Sequence, residues 1–362
     1  MNGEPSKSGA WGVSSARPGS SRRKFLIGLG GLLVLGAAGC GAGGSGDTAT
    51  RGEEGTSGGT RTIEHKYGAT EIPGVPERVV TVGFSDQDAA LALRVTPVGV
   101  RDWFGDQPQA TWPWARDELG DAKPEVLPAG ELNFEQIATL RPDLIVGISS
   151  GMTEKEYTTL SEIAPTLAQS DEYLDFGVPW QEQTRVIGRA LNQKERAEKL
   201  VTGVEERFAK AREDHSEFDG ATGVVALAGG ADGNYHAYGP QDVRGRFLTA
   251  LGFEVPDEIS ELAGDSFFAV ISREKLDLLD ADALTWIVNP PAEQETIEDD
   301  PLYQKLDVVS EGRDIFLGVN EPLAGALSFS TVLSLPFLLD KLVPQLAAAV
   351  DGDSKTKAQS AT

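Results

Sequence analysis

Along this chain, short all-apolar runs alternate with longer stretches in which apolar residues recur every third or fourth position. The runs Arg78-Val79-Val80-Thr81-Val82-Gly83, Val98-Gly99-Val100 and Leu144-Ile145-Val146-Gly147-Ile148 are too short for helices. They are apolar on both faces, as strands of a covered parallel sheet are. Between them, residues 86–94 and 133–140 have helical spacing; Asn133 caps the second, which stops before Pro142. The longest helical stretch is 180–214, with Val186, Ile187, Ala190, Leu191, Ala197, Leu200, Val201, Val204 and Phe208 at threes and fours among charged residues. It predicts one long helix after Pro179. The alternation then restarts. Val224-Val225-Ala226-Leu227, Leu284-Thr285-Trp286-Ile287-Val288 and Ile315-Phe316-Leu317 are strands. Residues 246–251 (ending at Gly252), 272–279 and 331–346 are helices, the last bent near Pro336.

Alternation on both sides of one long helix predicts an α/β chain. It has two Rossmann-like lobes with mostly parallel sheets, joined by a single long helix, and a ligand cleft between the lobes. Ligands of such sheets sit beyond the carboxyl ends of the strands. The N-terminal lobe is expected over 62–176, the connecting helix over 177–216 and the C-terminal lobe over 217–350.

Two terminal segments fall outside this pattern. Arg22-Arg23-Lys24 precedes an apolar run of 14 residues, Phe25 to Ala38, and then Gly39-Cys40. A basic start, a short apolar core and small residues at a cut describe an export signal over 1–39; a membrane span takes about 20 apolar residues. Ala37-Ala38-Gly39-Cys40 resembles a bacterial lipobox, with Ala37 where Leu is usual, and the twin arginine resembles a Tat signal. Cys40, the sole cysteine, is thus the expected lipidation site. Residues 40–61 are Gly/Ser/Thr-rich and predict a flexible tether, about 25 Å in reach. Residues 351–362 predict a disordered tail.

Composition then narrows the function. The formal charge is −24, and −28 once residues 1–39 are removed. So acidic a chain repels phosphate backbones, which argues against nucleic acid as a partner. With Cys40 lipidated no disulfide can form, so a hydrophobic core must carry stability. There is no nucleophile elbow, zinc signature or phosphate-binding Gly loop. Only three histidines exist, too few for a direct metal site of convergent ligands.

Several motifs together resemble the iron–siderophore substrate-binding lipoproteins of ABC importers. They are His65-Lys66-Tyr67-Gly68-Ala69-Thr70-Glu71-Ile72-Pro73 with Pro76-Glu77-Arg78-Val79-Val80, Val95 to Val100, and Asn133-Phe134-Glu135-Gln136-Ile137 running into Leu140-Arg141-Pro142-Asp143-Leu144-Ile145. Tyr157 to Thr166, Phe247 to Phe253, Ile271 to Leu276 and Pro301 to Leu306 continue the likeness, which spans about 62–347. The resemblance implies a receptor that captures a ferric siderophore and docks on an ABC permease, with ATP hydrolysed by other subunits. It also implies that one glutamate per lobe, Glu135 and Glu274, meets permease arginines. Each stands in the first turn of a predicted helix, where a carboxylate is exposed and favoured by the dipole.

For the pocket, strand ends and the loops after them select Arg101, Trp103 and Ser150 on one lobe. Tyr235, His236, Tyr238, Arg244 and Phe267 are selected on the other. Aromatic walls with a few Arg or Tyr donors suit an apolar-shelled, oxygen-rich iron complex. Tyr235-His236-Ala237-Tyr238 is expected on a Gly-rich loop, and Trp112-Pro113-Trp114 serves equally as pocket wall or lobe-surface plug. Few cations favour a hydroxamate over a triply charged catecholate complex. The protein is expected to be a monomer without cofactor or metal of its own, the iron being held by the siderophore. Haem or cobalamin remains an alternative ligand, with Tyr235, His236 or Tyr238 as axial candidates for haem. A secreted enzyme without a recognisable motif is the alternative of another class.

Overall fold

The computed structural model describes residues 59–229, 233–289 and 291–351. The export signal, Cys40, most of the tether and the tail from 352 lie outside the described residues. The chain enters through an antiparallel hairpin, β1 (Arg61–His65) and β2 (Gly68–Ile72). Five parallel strands follow in the order β5-β4-β3-β6-β7: β3 (Val79–Thr81), β4 (Gly99–Arg101), β5 (Glu125–Leu127), β6 (Leu144–Gly147) and β7 (Thr166–Ala168). Side-chain alternation splits their apolar residues between two cores. Val79, Leu144 and Val146 pack with the helices Asp86–Ala92 and Trp180–Ala190, while Val80 and Ile145 pack beneath Ile137 and Leu160 on the other face.

The second sheet has the order β10-β9-β8-β11-β12. Its parallel strands are β8 (Gly223–Leu227), β11 (Ala283–Val288) and β12 (Asp314–Gly318). β9 (Tyr235–Tyr238) and β10 (Phe268–Ile271) are added antiparallel at one edge. Val225, Ile287 and Leu317 face one core; Val224, Trp286 and Phe316 face the other. Two α/β lobes with mostly parallel sheets are therefore present, as the sequence pattern predicts.

Three helical boundaries differ from expectation. The stretch 180–214 is two helices, Trp180–Ala190 and Lys194–Asp214. Asn192 breaks them apart in the left-handed region (φ 57°), which Asn tolerates. Helical spacing runs through the break because the helices fold onto each other: a Cβ on Gly188 would lie 2.4 Å from that of Ala197. The closing stretch is likewise two helices, Ser334–Lys341 and Val343–Val350. Pro336 sits in a first turn, where the missing N–H costs nothing; Pro344, in the first turn of the second helix, marks the true break. Residues 273–279 form a 3-10 helix (Arg273–Leu279) rather than an α-helix.

Candidate functional site

The N-terminal lobe offers the loops after β3, β4, β6 and β7. Arg101 ends β4 and is buried. Its guanidinium donates to the carbonyls of Val82 (3.2 Å), Ala129 (3.1 Å) and Gly130 (2.6 Å), and Nε has no hydrogen-bond partner. It lies 4.3 Å above the Phe84 ring. No carboxylate pairs with it among the described residues, and burial pulls its pKa below the usual arginine value, against the distant pull of Glu156. Trp103 stacks on Phe84 (5.5 Å), and Phe84 in turn on Phe176 (6.0 Å). Ser150 is committed locally, donating to the Gly147 carbonyl (2.7 Å) and accepting from the Met152 amide (3.2 Å).

The aromatic wall continues into the C-terminal lobe. Phe329, the last residue of the helix Pro322–Phe329, lies 5.2 Å from Trp103 and 6.0 Å from Phe104. A second contact runs from Arg246 to the Gly177 carbonyl (2.7 Å). Beside it Tyr173, Leu174, Gly177, Gln241, Arg246 and Phe267 line a cavity of about 210 Å³. Phe267 precedes β10, and Gln241 follows the end of β9. The C-terminal lobe therefore meets its partner with the Tyr238 end of β9 and the end of the Pro322–Phe329 helix. Among the described residues, none of these contacts joins the N-terminal lobe to the carboxyl ends of β8 and β11, where the strand-end rule looks.

This orientation divides the aromatic cluster. Tyr235–Tyr238 is strand, not loop: Tyr235 pairs with Ile271 and Tyr238 with Phe268. The Gly-rich approach disguised a segment whose aromatic residues suit a pleated edge. Tyr235 packs edge-on against Trp286 (5.2 Å) at the end remote from Tyr238, about 10 Å away along the strand. His236 stacks on Phe268 (4.2 Å). Tyr238 is 8% exposed, and the Arg244 guanidinium covers its ring at 4.1 Å. Arg244 is itself paired with Asp242 (3.0 and 3.1 Å), so its charge is already answered. The structure thus brings Arg101, Trp103, Tyr238, Arg244 and Phe267 to the sides where the lobes meet, and sets Tyr235 apart. Phe176 escaped the sequence reading, in a loop without period; Phe329 lies in the region of Ser328, which strand-end reasoning selects, at the end of a nearly all-apolar helix.

Behind the wall the lobes are fastened. Asp88 of the Asp86–Ala92 helix accepts from the Thr331 hydroxyl (2.5 Å), across the lobes, and from the Trp114 indole N–H (2.8 Å). Asp86 accepts from Gln183 (2.7 Å) and the Ser149 amide (3.1 Å). Burial pushes both carboxyl pKa values up to about 6, against these hydrogen bonds. Trp112 and Trp114, stacked at 5.2 Å, belong to this seam and are not a surface plug. Among the described residues no three acidic, His or Cys side chains gather as a metal site, and no helix is long and apolar enough to cross a membrane.

The periplasmic binding protein description matches residues 80–319, two thirds of the chain and parts of both lobes. The chain belongs to the periplasmic binding protein family. A probable siderophore-binding lipoprotein of Bacillus subtilis, YfiY, is 31% identical over 234 residues, covering 62% of this chain and 68% of its own length. A periplasmic solute binding protein of Mycobacterium smegmatis superposes with a TM-score of 0.73 at 36% identity, covering 81% of this chain and 99% of that one. PiaA of Streptococcus pneumoniae, in complex with ferrichrome, gives 0.70 at 27% identity over 81% and 99%. As a periplasmic binding protein, the chain binds its solute and is not an enzyme.

The two glutamates picked out for docking are exposed in this binding protein, one on each lobe. Glu135 stands in the first turn of Phe134–Thr139, whose cap is made by the Asn133 side chain accepting from the Gln136 amide (3.0 Å). Glu274 opens the 3-10 helix after β10. Its own backbone amide, then the Ser272 hydroxyl, hold its pKa below the usual glutamate value.

Proposed function

We propose that this chain is an extracytoplasmic, lipid-anchored receptor that captures a ferric siderophore and delivers it to an ABC permease. The observation that carries the reading is the aromatic wall Phe176-Phe84-Trp103-Phe329 around Arg101, a buried cation without an acid partner. Apolar rings suit the organic shell of such a complex, and one guanidinium suits the oxygens at its iron centre. The siderophore and iron-uptake relatives support the same ligand class. A hydroxamate is favoured over a catecholate, because Arg244 is neutralised by Asp242 and Arg246 is engaged with Gly177. Among the described residues Arg101 is the cation there without a carboxylate partner, though it donates to three carbonyls, and a triply charged complex would need several such cations. Lipidation at Cys40 and the Tat route rest on the sequence.

Tryptophan quenching on residues 61–350 tests this directly, with ferrioxamine, ferrichrome, ferric enterobactin, haemin and cobalamin titrated in parallel. Sub-micromolar quenching by a hydroxamate, with silence from haemin and cobalamin, is the expected result. A response to enterobactin alone would overturn the hydroxamate assignment, and a response to haemin or cobalamin alone the siderophore assignment.

Docking is tested separately. In Glu135→Ala/Glu274→Ala, import should fall about tenfold or more while ligand affinity is unchanged, since rim charges act on encounter and register. A loss of affinity would assign the two residues to the pocket instead.

A further inference from the structure

A second cavity, of about 350 Å³, lies away from the aromatic wall. It is lined by Leu91, Ala92, Arg94 and Thr96 of the N-terminal lobe, and by Glu118 of the short helix Arg116–Leu119. Arg196 and Leu200 of the helix Lys194–Asp214 and Leu333 of the C-terminal lobe complete it. All three parts of the fold therefore contribute to its walls.

Two features of the lining suit an anionic ligand. Arg94 follows the C-cap of the Asp86–Ala92 helix with φ 62°, in the left-handed region. That position is normally filled by Gly or Asn, and a side-chain-bearing residue there is strained. The Arg94 side chain is exposed at the mouth of the cavity, and among the described residues it has no hydrogen bond and no ion pair, so it is available to a ligand from solvent. Arg196 is anchored through Nε to the Ala92 carbonyl (2.9 Å), which leaves its two terminal nitrogens available toward the cavity. Two guanidiniums against the single Glu118 carboxylate leave a surplus positive charge in a strongly acidic protein. Leu91, Leu200 and Leu333 supply an apolar floor.

We propose that this cavity is a second binding site, for a small organic monocarboxylate with an apolar body. Its carboxylate is held between Arg94 and Arg196, and its hydrocarbon part rests on the three leucines. Bidentate pairing with guanidinium is the geometry that carboxylates take best. An occupant would touch both lobes and the connecting helix at once, so its binding is coupled to how the lobes are set. The site is independent of the siderophore reading.

The test is calorimetric titration of the intact mature protein with 4-methylvalerate and benzoate, with inorganic phosphate and isobutanol as charge and shape controls. Binding of the carboxylates at millimolar or tighter Kd, at least tenfold tighter than either control, is expected. Arg94→Gly relieves the left-handed strain, so it should melt higher than the parent and still bind carboxylate at least tenfold more weakly. Arg196→Gln should lose binding to a similar degree. No carboxylate binding in the parent, or binding that survives in a well-folded Arg94→Gly, would overturn the proposal.

Discussion

Trp112→Ala is expected to cost about 3–5 kcal/mol of stability, the range for removing a large buried aromatic. At roughly 2–3 °C per kcal/mol this lowers the melting temperature by about 10 °C. Trp112 is 2% exposed and ringed by Trp114 (5.2 Å), Phe104 (5.3 Å) and Phe329 (6.1 Å). Its indole packs against two glycines, one from each lobe. A Cβ on Gly105 would come within 2.5 Å of the ring, and one on Gly325 within 2.6 Å. The ring packs against bare backbone from both lobes, so a cavity there cannot close without shifting a lobe. Gly325 supplies an independent check. Alanine there is destabilising beside Trp112, because it overpacks the seam. In the Trp112→Ala background the same change becomes neutral or stabilising, since alanine favours a helix interior by about 1 kcal/mol over glycine. Denaturant titrations of the four proteins measure this cycle. A Trp112→Ala cost below about 1 kcal/mol, or no change of sign at Gly325, would refute the sandwich.

Asp88→Asn is expected to stabilise the protein at pH 7.5 by up to about 3 kcal/mol, the equivalent of the rise from 3.8 to about 6. Both hydrogen bonds to Asp88 end on one oxygen, so an asparagine carbonyl can accept from Thr331 and Trp114 as the carboxylate does. Only the buried charge, which burial and then Glu118 disfavour, is lost. A raised carboxyl pKa contributes stability that is fully present below the unfolded value near 3.8. That stability is lost as pH rises through about 6. Asp86 acts in the same sense. His65, lowered by burial, acts in the opposite one, its contribution being present above its ordinary value and lost as pH falls through the lowered one. The difference between parent and Asp88→Asn isolates Asp88: the gain should stay level from about pH 7.5 to just above 6, then shrink as pH falls through about 6 towards about 4.5. Asp86→Asn is a poorer probe, because the Ser149 amide approaches both of its oxygens (3.1 and 3.4 Å) and would face an NH2 group. Melting curves across this range decide the matter; a gain independent of pH would show that Asp88 is not the charged group.

The core of the fold was legible because strands buried on both faces leave continuous apolar runs. Val79-Val80-Thr81, Leu144 to Gly147 and Leu284 to Val288 emerge almost residue for residue. Helix ends were legible where a single residue decides them, as Asn133 does by its cap and Gly252 by φ 109°. What periodicity hides is a turn that preserves spacing. Asn192 interrupts a helix whose halves fold onto each other: Ala197 joins the core of the first half while Val204 and Phe208 pass to the core of the C-terminal lobe, so the spacing runs on unbroken. β9 was masked by the glycines before it. For the site, Arg101 and Trp103 followed from the end of an obvious strand. The orientation of the C-terminal lobe did not, because the antiparallel pair β9–β10 brings Phe267 and Tyr238 to the end opposite that predicted by a purely parallel sheet. Burial of charge was equally hidden: Asp86 and Asp88 look like ordinary first-turn acids until the second lobe covers them.

The Trp112–Trp114 pair has a use of another kind. Two indoles 5.2 Å apart and within 8° of parallel share their electronic excitations, and the strength and sign of that sharing depend on mutual angle and separation. Trp112 rests against Gly325 and Trp114 against Phe337, on two different helices of the opposite lobe. A slide of the lobes that turns one ring against the other would therefore change the circular dichroism of the pair, an optical reading of closure that needs no label.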